Sequence, residues 1–369
     1  MTAPDVVVVG AGVIGAACAW ELAGAGLRVS VLERSAPGAE ASGASAGILS
    51  GFSDSRADPL ARLCQLGRDL YESLADALRE EAAVDIELGR AGHLDLCLTG
   101  ADLEWARRLA SAPAHRAERL TVLTEEDLRR LEPGVTPEAR GALHIPRGSW
   151  VDTEKLVRAL VAAGERRGAR YCVGELVEGI LRERGRVVGV RVAGRRLEAG
   201  AVLVAAGAWS STLTGWPSGL RVRPVKGQML ALGNAPAIIR HVLYRGEAYL
   251  VPRLSGECLV GATVEDGVAD RRVTLEGLDW LTTQAIAAAP GLADAPFLRA
   301  WAGIRPASAD GLPLVGPWPG DPGLHVATGH YRNGILLAPV TARIVRDWLT
   351  EGASSLGELF HPGRLAASG

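Results

Sequence analysis

The sequence VVVVGAGVIG, residues 6–15, decides the fold of this chain. Four β-branched residues predict a buried strand, and the G-x-G-x-x-G pattern that follows predicts a tight turn into a helix. Gly10 supplies the backbone angles of the turn, Gly12 lets the main chain approach a pyrophosphate, and Gly15 lets the helix pack closely on the strand. Strand, turn and helix together predict a dinucleotide-binding unit.

A helix and a second strand complete this unit within residues 16–34. The helix leads to Gly26, and the strand from Val29 to Leu32 ends at Glu33. Glu33 stands eighteen residues beyond Gly15, where a carboxylate can accept hydrogen bonds from the ribose hydroxyls of a dinucleotide. An acid at this position disfavours a phosphorylated ribose. Nicotinamide and flavin enzymes share the unit, so it leaves the choice between these cofactors open.

A second glycine-rich sequence, GHYRNGILLAP at residues 329–339, lies near the other end of the chain. It predicts a glycine turn that leads into a helix from about Gly334 to Leu349. Together with residues 6–15, it predicts a dinucleotide that is bound at both of its ends.

Residues 41–49, ASGASAGIL, are predicted to form an irregular loop. Within it, GASAG at residues 43–47 also matches the G-x-S-x-G nucleophile elbow of serine hydrolases. An elbow needs a buried strand directly before the serine, whereas residues 36–42 are proline, glycine and small or polar residues. We therefore expect a loop that lies along phosphates and a flat ring, with a serine hydrolase as a remote alternative.

Length, charge and cysteine spacing limit the class of protein. A chain of 369 residues suggests about two domains. The formal net charge of −2 provides no basic surface for nucleic acid, and no apolar stretch is long enough to span a bilayer. The five cysteines contain no C-x-x-C pair, and the histidines lack metal-ligand spacing, so we expect neither disulfides nor a metal site. A soluble, cytoplasmic protein is expected.

The rest of the chain mixes predicted helices and strands, which indicates an α/β protein. The predicted helices are residues 51–82, a short helix that begins at the capping box of residues 124–127, and residues 153–167 and 274–289. The predicted strands are residues 90–98, a strand near residue 171, and residues 176–181, 187–192 and 221–265 in part. A further buried strand begins at Ala201 and runs into a glycine turn at Gly207.

Several motifs spread over nearly the whole chain are those of one flavoprotein superfamily. Besides residues 6–15 and 41–49, they are AAGAWS (205–210), PVKG (224–227), YLVPR (249–253), GIRP (303–306), DGLP (310–313) and GHYRNGILLAP (329–339). In these motifs the chain resembles the D-amino-acid oxidase superfamily, and within it the glycine oxidases of thiazole (thiamine) synthesis. The last motif is the most specific, and it separates glycine-oxidase-like chains from sarcosine oxidases and D-amino-acid dehydrogenases better than the glycine turn at residues 10–15 does.

The resemblance implies an α/β fold with a Rossmann-like FAD-binding domain and an inserted mixed-sheet substrate domain. The FAD-binding domain would comprise residues 1–85, 146–220 and 308–369, and the substrate-binding domain residues 86–145 and 221–307. Some relatives attach the flavin to a cysteine near residues 313–317, where this chain has none, so noncovalent FAD is implied. The implied FAD contacts are Gly10, Gly12, Val13, Ile14, Gly15, Glu33, Arg34, Ala41, Ser42, Ala46, Gly47, Ile48, Val177, Gly207, His330, Tyr331, Arg332, Asn333, Gly334, Ile335 and Leu336.

Oxidation of an amine requires the protein to hold the substrate's α-carbon over the flavin ring. A planar guanidinium holds a substrate carboxylate best, by two parallel hydrogen bonds. By resemblance, Arg305 binds this carboxylate, Tyr249 donates its hydroxyl to it, and Arg332 is a second contact to substrate and flavin. The alternatives are a salt bridge for Arg305, a packed strand position for Tyr249 and a loop-bracing role for Arg332.

Two further residues leave more than one role open. Lys226 could assist dioxygen near the reduced flavin or form a structural ion pair, and we expect the ion pair. His330 is expected to contact the flavin through its main chain rather than to transfer a proton. The amides at the start of the helix at Gly334 would face the flavin's pyrimidine edge, where negative charge gathers on reduction.

The resemblance thus implies an FAD-dependent oxidase of glycine, sarcosine or another small amino acid such as D-alanine. Its products would be an imine or 2-oxo acid, ammonia or an amine, and hydrogen peroxide from dioxygen. The alternatives are a D-amino-acid or proline-type dehydrogenase that passes electrons to a quinone or carrier, and an inactive FAD-binding protein. Glu247 and Val264 replace a histidine and a methionine of the family pattern, so the preferred substrate stays open, as does a homo-oligomeric state.

Overall fold

The structure, a computed structural model, describes residues 3–50 and 59–368. Its α-helices are α1 (Val13–Gly24), α2 (Pro59–Asp69), α3 (Tyr71–Ala82), α4 (Gly100–Ser111), α5 (Glu125–Leu131), α6 (Thr153–Arg166), α7 (Leu275–Ala288) and α8 (Gly334–Glu351). Its strands are β1 (Val6–Val9), β2 (Val29–Glu33), β3 (Ile48–Leu49), β4 (His93–Cys97), β5 (Thr121–Thr124), β6 (Gly141–Ile145), β7 (Ser149–Trp150), β8 (Arg170–Val173), β9 (Val177–Glu183), β10 (Arg186–Val192), β11 (Arg195–Glu198), β12 (Ala201–Val204), β13 (Val222–Gly233), β14 (Val242–Arg245), β15 (Ala248–Pro252), β16 (Glu257–Gly261), β17 (Glu265–Asp266), β18 (Phe297–Ser308), β19 (Leu314–Pro317) and β20 (Leu324–Thr328).

A six-stranded sheet in the order β19-β20-β12-β1-β2-β8 contains the first strand near its centre. Its neighbouring strands are parallel except β19, which is antiparallel to β20. Val6 and Val8 pack into a core with the helices α1, α6 and α8, while Val7 and Val9 pack against the three-stranded sheet β11-β10-β9. Burial on both faces explains the unbroken run of valines.

The second large sheet has nine strands. Its order is β17-β13-β16-β15-β14-β4-β6-β5, with β18 paired to β13. It is mixed, because β14 is parallel to β4 and the other pairs are antiparallel. On one face, Leu230 and Leu250 pack with Leu281 of helix α7. On the opposite face, Met229 and Tyr249 pack toward Ala46 of the loop at residues 41–49. This second face of the nine-stranded sheet therefore faces the dinucleotide-binding unit.

The predicted α/β fold class is confirmed by these sheets. Helix α5 begins after Thr124, whose side chain accepts a hydrogen bond from Asp127 N as the capping box predicts. Residues 59–82 form two helices rather than one, and residues 51–58 of the predicted helix lie outside the described residues. The predicted helices at 153–167, 274–289 and 334–349 are confirmed within two residues at either end.

Helix α4 is missing from the sequence-based prediction. Its start is marked by a reciprocal capping box, because Thr99 accepts from Asp102 N and the Asp102 carboxylate accepts from Thr99 N. The pattern T-x-x-D was thus a usable signal.

The predicted division into two domains stays a prediction. The six-stranded sheet takes its strands from residues 6–33, 170–204 and 314–328, and the nine-stranded sheet from residues 93–145 and 222–308. This membership supports the predicted boundaries. Among the helices of residues 3–50 and 59–368, none combines the length and the apolar character needed to cross a membrane.

Candidate active site

A cavity of about 510 Å³ lies between the two large sheets. It is lined by residues from the ends of β1 and β2, from the loop at residues 41–49, from β13, β15 and β18, and from the start of α8. The predicted site residues that line it are Gly10, Gly12, Val13, Ile14, Glu33, Arg34, Ala41, Ser42, Ala46, Ile48, Val177, Gly207, Tyr249, Arg305, His330, Tyr331, Arg332, Asn333, Gly334, Ile335 and Leu336. Their individual roles remain predictions.

Two predicted contacts, Gly15 and Gly47, do not line the cavity but shape its walls. A β-carbon on Gly15 would lie 1.9 Å from Gly10 O, so this glycine allows the helix to pack on the turn. Gly47 has a φ of +66°, and a β-carbon there would lie 2.1 Å from Val151 O. Both positions therefore require glycine for backbone packing.

The glycine turn is joined to the loop at residues 41–49 by a direct hydrogen bond. Val13 N donates to Ser42 Oγ over 2.9 Å. Gly10 has a φ of +100°, and a β-carbon on Gly12 would lie 3.3 Å from Ser42 Oγ. The turn thus brings the start of α1 against Ser42, and because Ser42 Oγ is the acceptor in this bond, its own hydrogen can be donated to a pyrophosphate at the helix start.

Glu33 ends β2 as a buried carboxylate at the cavity wall. Its Oε2 accepts from Ala11 N at 2.8 Å, and its Oε1 accepts from Ser35 N at 2.9 Å. Two carboxylate oxygens offer about four acceptor positions, so Glu33 can still accept from a ribose hydroxyl. Beside it, the guanidinium of Arg34 stacks on Trp209 at 3.9 Å from the ring centre.

Arg253 holds the loop at residues 41–49 in place, a role that the sequence motif YLVPR did not reveal. Its guanidinium donates to Val151 O at 2.7 Å and to Ala46 O at 3.0 Å, and it stacks on Trp150. Burial lowers the pKa of Arg253 to about 10, so the side chain stays a cation at neutral pH. It thereby ties β15 to the wall of the predicted flavin site.

The loop before α8 is fixed by main-chain contacts. Tyr331 has a φ of +50°, and its N–H donates to Pro306 O at 2.8 Å. His330 is buried with Nε2 hydrogen-bonded to Thr341 Oγ1 at 3.0 Å. Burial lowers the pKa of His330 to about 3, so its ring is neutral near pH 7 and unsuited to carry a proton there.

Arg305 presents a guanidinium to the cavity from β18. Its Nη1 donates to Lys226 O at 3.3 Å and to Thr263 O at 3.1 Å. In the described part of the chain no carboxylate lies within salt-bridge distance of Arg305, whereas Arg34 is paired with Glu40 and Arg332 lies near a glutamate at the rim. A cation without a carboxylate partner in an enclosed site is poised to bind an anion.

Tyr249 lies next to Arg305 on the same face of the sheet. Its hydroxyl donates to Met229 Sδ at 3.9 Å, and its ring meets Tyr244 edge to face at 6.3 Å. A β-carbon on Gly261 would lie 2.5 Å from the Tyr249 ring, so a glycine clears the space for it. Burial raises the pKa of Tyr249, although Arg305 lowers it in part. The hydroxyl therefore stays protonated and can donate to a carboxylate.

Arg332 and Glu247 form a loose pair at the rim of the cavity. Arg332 Nη1 lies 3.6 Å from Glu247 Oε2, and the two side chains are 47% and 76% exposed. Both residues line the cavity, as do Met229 and Tyr244, which sequence reasoning did not single out. Val264, the other departure from the family pattern, is 47% exposed and is not among the lining residues.

Two sequence-based alternatives are decided by this geometry. Lys226 points away from the cavity, with Nζ 3.1 Å from Glu265 and 3.5 Å from Asp270, so it forms the expected ion pair. Residues 37–44 are turns rather than a strand, so the nucleophile-elbow interpretation of Ser45 is wrong. Within the described ranges, no group of three or more His, Cys, Asp or Glu side chains is arranged to hold a metal ion.

Comparison with known proteins identifies the family. A sequence model described as FAD dependent oxidoreductase (DAO) matches residues 5–348, which is most of the chain. The chain belongs to the DAO family of FAD-dependent oxidoreductases. The turn at residues 10–15 and Glu33 both lie within the matched residues.

Curated relatives of this DAO-family chain include glycine oxidases. The glycine oxidase of Pseudomonas aeruginosa is 38% identical over 94% of each chain. The glycine oxidase of Geobacillus kaustophilus is 36% identical over 93% of this chain and 92% of its own. The bifunctional protein ThiO/ThiG of Trichormus variabilis is 34% identical over 98% of this chain, which spans 55% of that protein.

Solved structures agree with these relatives. The crystal structure of glycine oxidase from Geobacillus kaustophilus matches with a TM-score of 0.92 at 34% identity and covers 99% of both chains. That of iminodiacetate oxidase from Chelativorans sp. BNC1 matches with a TM-score of 0.86 at 28% identity, over 97% of this chain and 98% of that one. The predicted resemblance, fold class and enzyme class, a glycine-oxidase-like FAD-dependent oxidoreductase, are confirmed.

Proposed function

We propose that this DAO-family chain is an oxidase of glycine or another small amino acid or amine, such as sarcosine or D-alanine. The observation that carries the proposal is the guanidinium of Arg305, which lies in the cavity beside the Tyr249 hydroxyl and has no carboxylate partner among the described residues. An amino-acid carboxylate would supply the missing negative charge. The similarity of this chain to glycine oxidases supports the same substrate class.

The cavity residues fit FAD. Gly12 and Ser42 leave space and donors for a pyrophosphate, and Glu33 keeps acceptor capacity for ribose hydroxyls. We infer noncovalent binding, since residues 313–317 contain no cysteine. Held by these residues, FAD would supply the two-electron oxidation of the substrate, with dioxygen as the final electron acceptor and hydrogen peroxide as product. Release of the yellow flavin on acid denaturation would test the noncovalent link.

The chain's own residues bind and orient the substrate. Arg305 would donate two parallel hydrogen bonds to the carboxylate, and Tyr249 would donate a third, which fixes the α-carbon relative to the ring. The first amides of α8, which begins at Gly334 with no side-chain cap, would stabilise negative charge that develops near them. Neither role needs a side chain to act as a general base.

The substrate end of the cavity favours a small side chain. Tyr244, Tyr249 and Met229 lie on its face of the nine-stranded sheet and pack together there. Large substituents on the α-carbon would meet these three side chains.

From the similarity to glycine oxidases and ThiO/ThiG proteins, we also propose a cytoplasmic enzyme that acts in thiamine thiazole synthesis. A homo-oligomeric state stays a hypothesis.

A peroxide assay in air tests the proposal. The purified protein should produce hydrogen peroxide with glycine, sarcosine or D-alanine, and Arg305→Met should raise the KM by about a hundredfold, as expected for loss of a paired charge-assisted contact. Arg130→Met, which removes an exposed arginine of α5, is the matched control and should leave the KM unchanged. Flavin reduction without peroxide would indicate a dehydrogenase instead, and no reduction by any of these substrates would contradict the proposal.

A further inference from the structure

Four polar side chains form a cluster on the face of β13 that points away from the cavity. We call Lys226, Gln228, Thr263 and Glu265 the Glu265 cluster. The side chain of Lys226 is only 3% exposed, and Gln228 is also buried. Buried polar groups of this kind require partners.

The carboxylate of Glu265 joins the other three members. Its Oε1 accepts from Gln228 Nε2 at 2.7 Å and from Thr263 Oγ1 at 2.8 Å, and its Oε2 lies 3.1 Å from Lys226 Nζ. Burial alone would raise the pKa of Glu265, but these hydrogen bonds and the lysine hold the pKa below its usual value. The carboxylate is therefore ionised at neutral pH.

The cluster also fixes the main chain of two separate segments. Gln228 N donates to Thr263 Oγ1 at 2.9 Å, and Thr263 N donates to Gln228 O at 3.2 Å. Strand β17 places Glu265 opposite Lys226. The backbone at Lys226 is thereby held at a fixed distance from the backbone at Thr263.

These two segments supply the carbonyls that anchor the guanidinium of Arg305. Nη1 donates to Lys226 O and to Thr263 O, so its position depends on both segments at once. A carboxylate ligand gains most when the guanidinium that meets it is already fixed, because less conformational freedom is lost on binding.

We propose that Glu265 is a positioning residue for Arg305 and, through it, for the substrate carboxylate. The proposal rests on the proposed function, because it assigns Arg305 to carboxylate binding. Glu265 contacts Lys226 and Thr263 on the side of the sheet away from the cavity, so it acts without touching substrate or flavin. Its effect falls on substrate affinity rather than on the rate at saturation, since a bound carboxylate itself holds the guanidinium in place.

The test compares Glu265→Gln with Asp270→Asn in the FAD-loaded enzyme. Asp270 is a second carboxylate near Lys226 but has no bond to Gln228 or Thr263 among the described contacts. The probe is acetate, a carboxylate that cannot be oxidised, and its Kd is measured from the shift of the flavin absorption band. Steady-state kcat and KM for glycine are measured in parallel.

Glu265→Gln is expected to raise the Kd of acetate and the KM of glycine about tenfold, which is the effect of losing one hydrogen bond to a charged group. The kcat of the variant should stay within about twofold of the wild-type value. Asp270→Asn should leave all three values within about twofold, since exposed pairs contribute little. An unchanged Kd in Glu265→Gln, an equal rise in Asp270→Asn, or a fall in kcat as large as the rise in KM would overturn the proposal.

A second variant tests the proposal if Glu265→Gln does not fold or does not retain flavin. Thr263→Val removes the hydroxyl that joins Gln228 N to Glu265 and keeps the side-chain shape, so it should raise the Kd of acetate in the same direction. An unchanged Kd would then overturn the proposal. If the wild type binds acetate but is not reduced by glycine, only the proposed substrate is wrong, and the acetate comparison still decides the role of Glu265. If the wild type does not bind acetate, both proposals fail.

Discussion

The guanidinium of Arg305 lies directly against the α-carbon of Gly227 on the neighbouring strand. A β-carbon at Gly227 would come within 2.3 Å of Arg305 Nη2 and 2.4 Å of Nη1. The PVKG motif therefore ends in glycine at the point where the side chain of Arg305 crosses β13. Because the obstructing atoms belong to the end of a flexible side chain, a methyl group there would displace the guanidinium rather than the sheet.

We accordingly expect Gly227→Ala to weaken substrate binding with little loss of stability. The KM for glycine should rise about tenfold to a hundredfold, since charge-assisted hydrogen bonds to the carboxylate are lost, while the melting temperature changes little. Gly219→Ala is the control, because its nearest neighbour atom would be 3.9 Å away. A Gly227→Ala variant with wild-type KM would show that Arg305 does not bind substrate from this position.

Tyr249→Phe should raise the KM for glycine about tenfold through loss of one hydrogen bond to a charged group. Burial raises the pKa of the Tyr249 hydroxyl, so the wild-type residue stays a donor from about pH 6 to about pH 9. The ratio of kcat/KM between wild type and variant should then be constant across this range. A ratio that falls steadily as the pH rises toward 9 would mean that Tyr249 already loses its proton there.

Local patterns in the sequence predict the nucleotide-binding unit and the residues at the two ends of the cavity. The chemistry of Gly10 and Glu33 follows from the strand–turn–helix–strand pattern and its spacing, whereas the role predicted for Arg305 came from resemblance to a known family. The contacts of Arg253 were not predictable, because its partners Ala46 and Val151 lie 207 and 102 residues away in the chain.

The direction of Lys226 was available from the sequence. Side chains alternate between the two faces of a strand, so Lys226 must point away from the face on which Gly227 meets Arg305. The partners of Lys226 were not available, because β17 and the loop after it become neighbours of β13 only in the folded sheet. Periodicity thus predicts the face of the sheet but not the residues that cover it.

Glu247→Gln should change substrate choice rather than activity in general. Glu247 places a negative charge 3.6 Å from Arg332 at the rim, where it would repel a second carboxylate on a substrate. In the variant, the ratio of kcat/KM for iminodiacetate to kcat/KM for glycine should rise about two- to fivefold at low salt. The expected effect is small because exposed charges interact weakly in water. The gain should shrink at high salt. An unchanged ratio at low salt, or a gain equal to that of Glu276→Gln on α7, would contradict this role.

Asp95 is expected to destabilise the fold where it is ionised, most strongly above about pH 6. It lies beside Tyr244 in the register of β4 and β14, and burial raises its pKa to about 6 from 3.8. Because the folded-state pKa lies above the unfolded value, ionisation of Asp95 costs stability progressively as the pH rises from about 4 to about 6; the cost is complete above about pH 6 and absent well below the unfolded pKa. Asp95→Asn should therefore increase the free energy of unfolding by about 1–2 kcal/mol at pH 8, and by less at pH 5.

Urea denaturation at both pH values checks this expectation. Asp279→Asn, at an exposed position of α7, is the control and should change the free energy of unfolding little at either pH. A gain for Asp95→Asn that is equal at both pH values would exclude ionisation as its cause, and a loss at pH 8 would reverse the predicted sign.

The central claim is that this chain holds FAD and oxidises a small amino acid bound through Arg305. Anaerobic titration of the purified yellow protein with glycine, followed by admission of air, tests it most directly. We expect glycine to bleach the flavin absorption band and air to restore it with formation of hydrogen peroxide. A yellow protein that glycine, sarcosine and D-alanine all fail to bleach would contradict the claim.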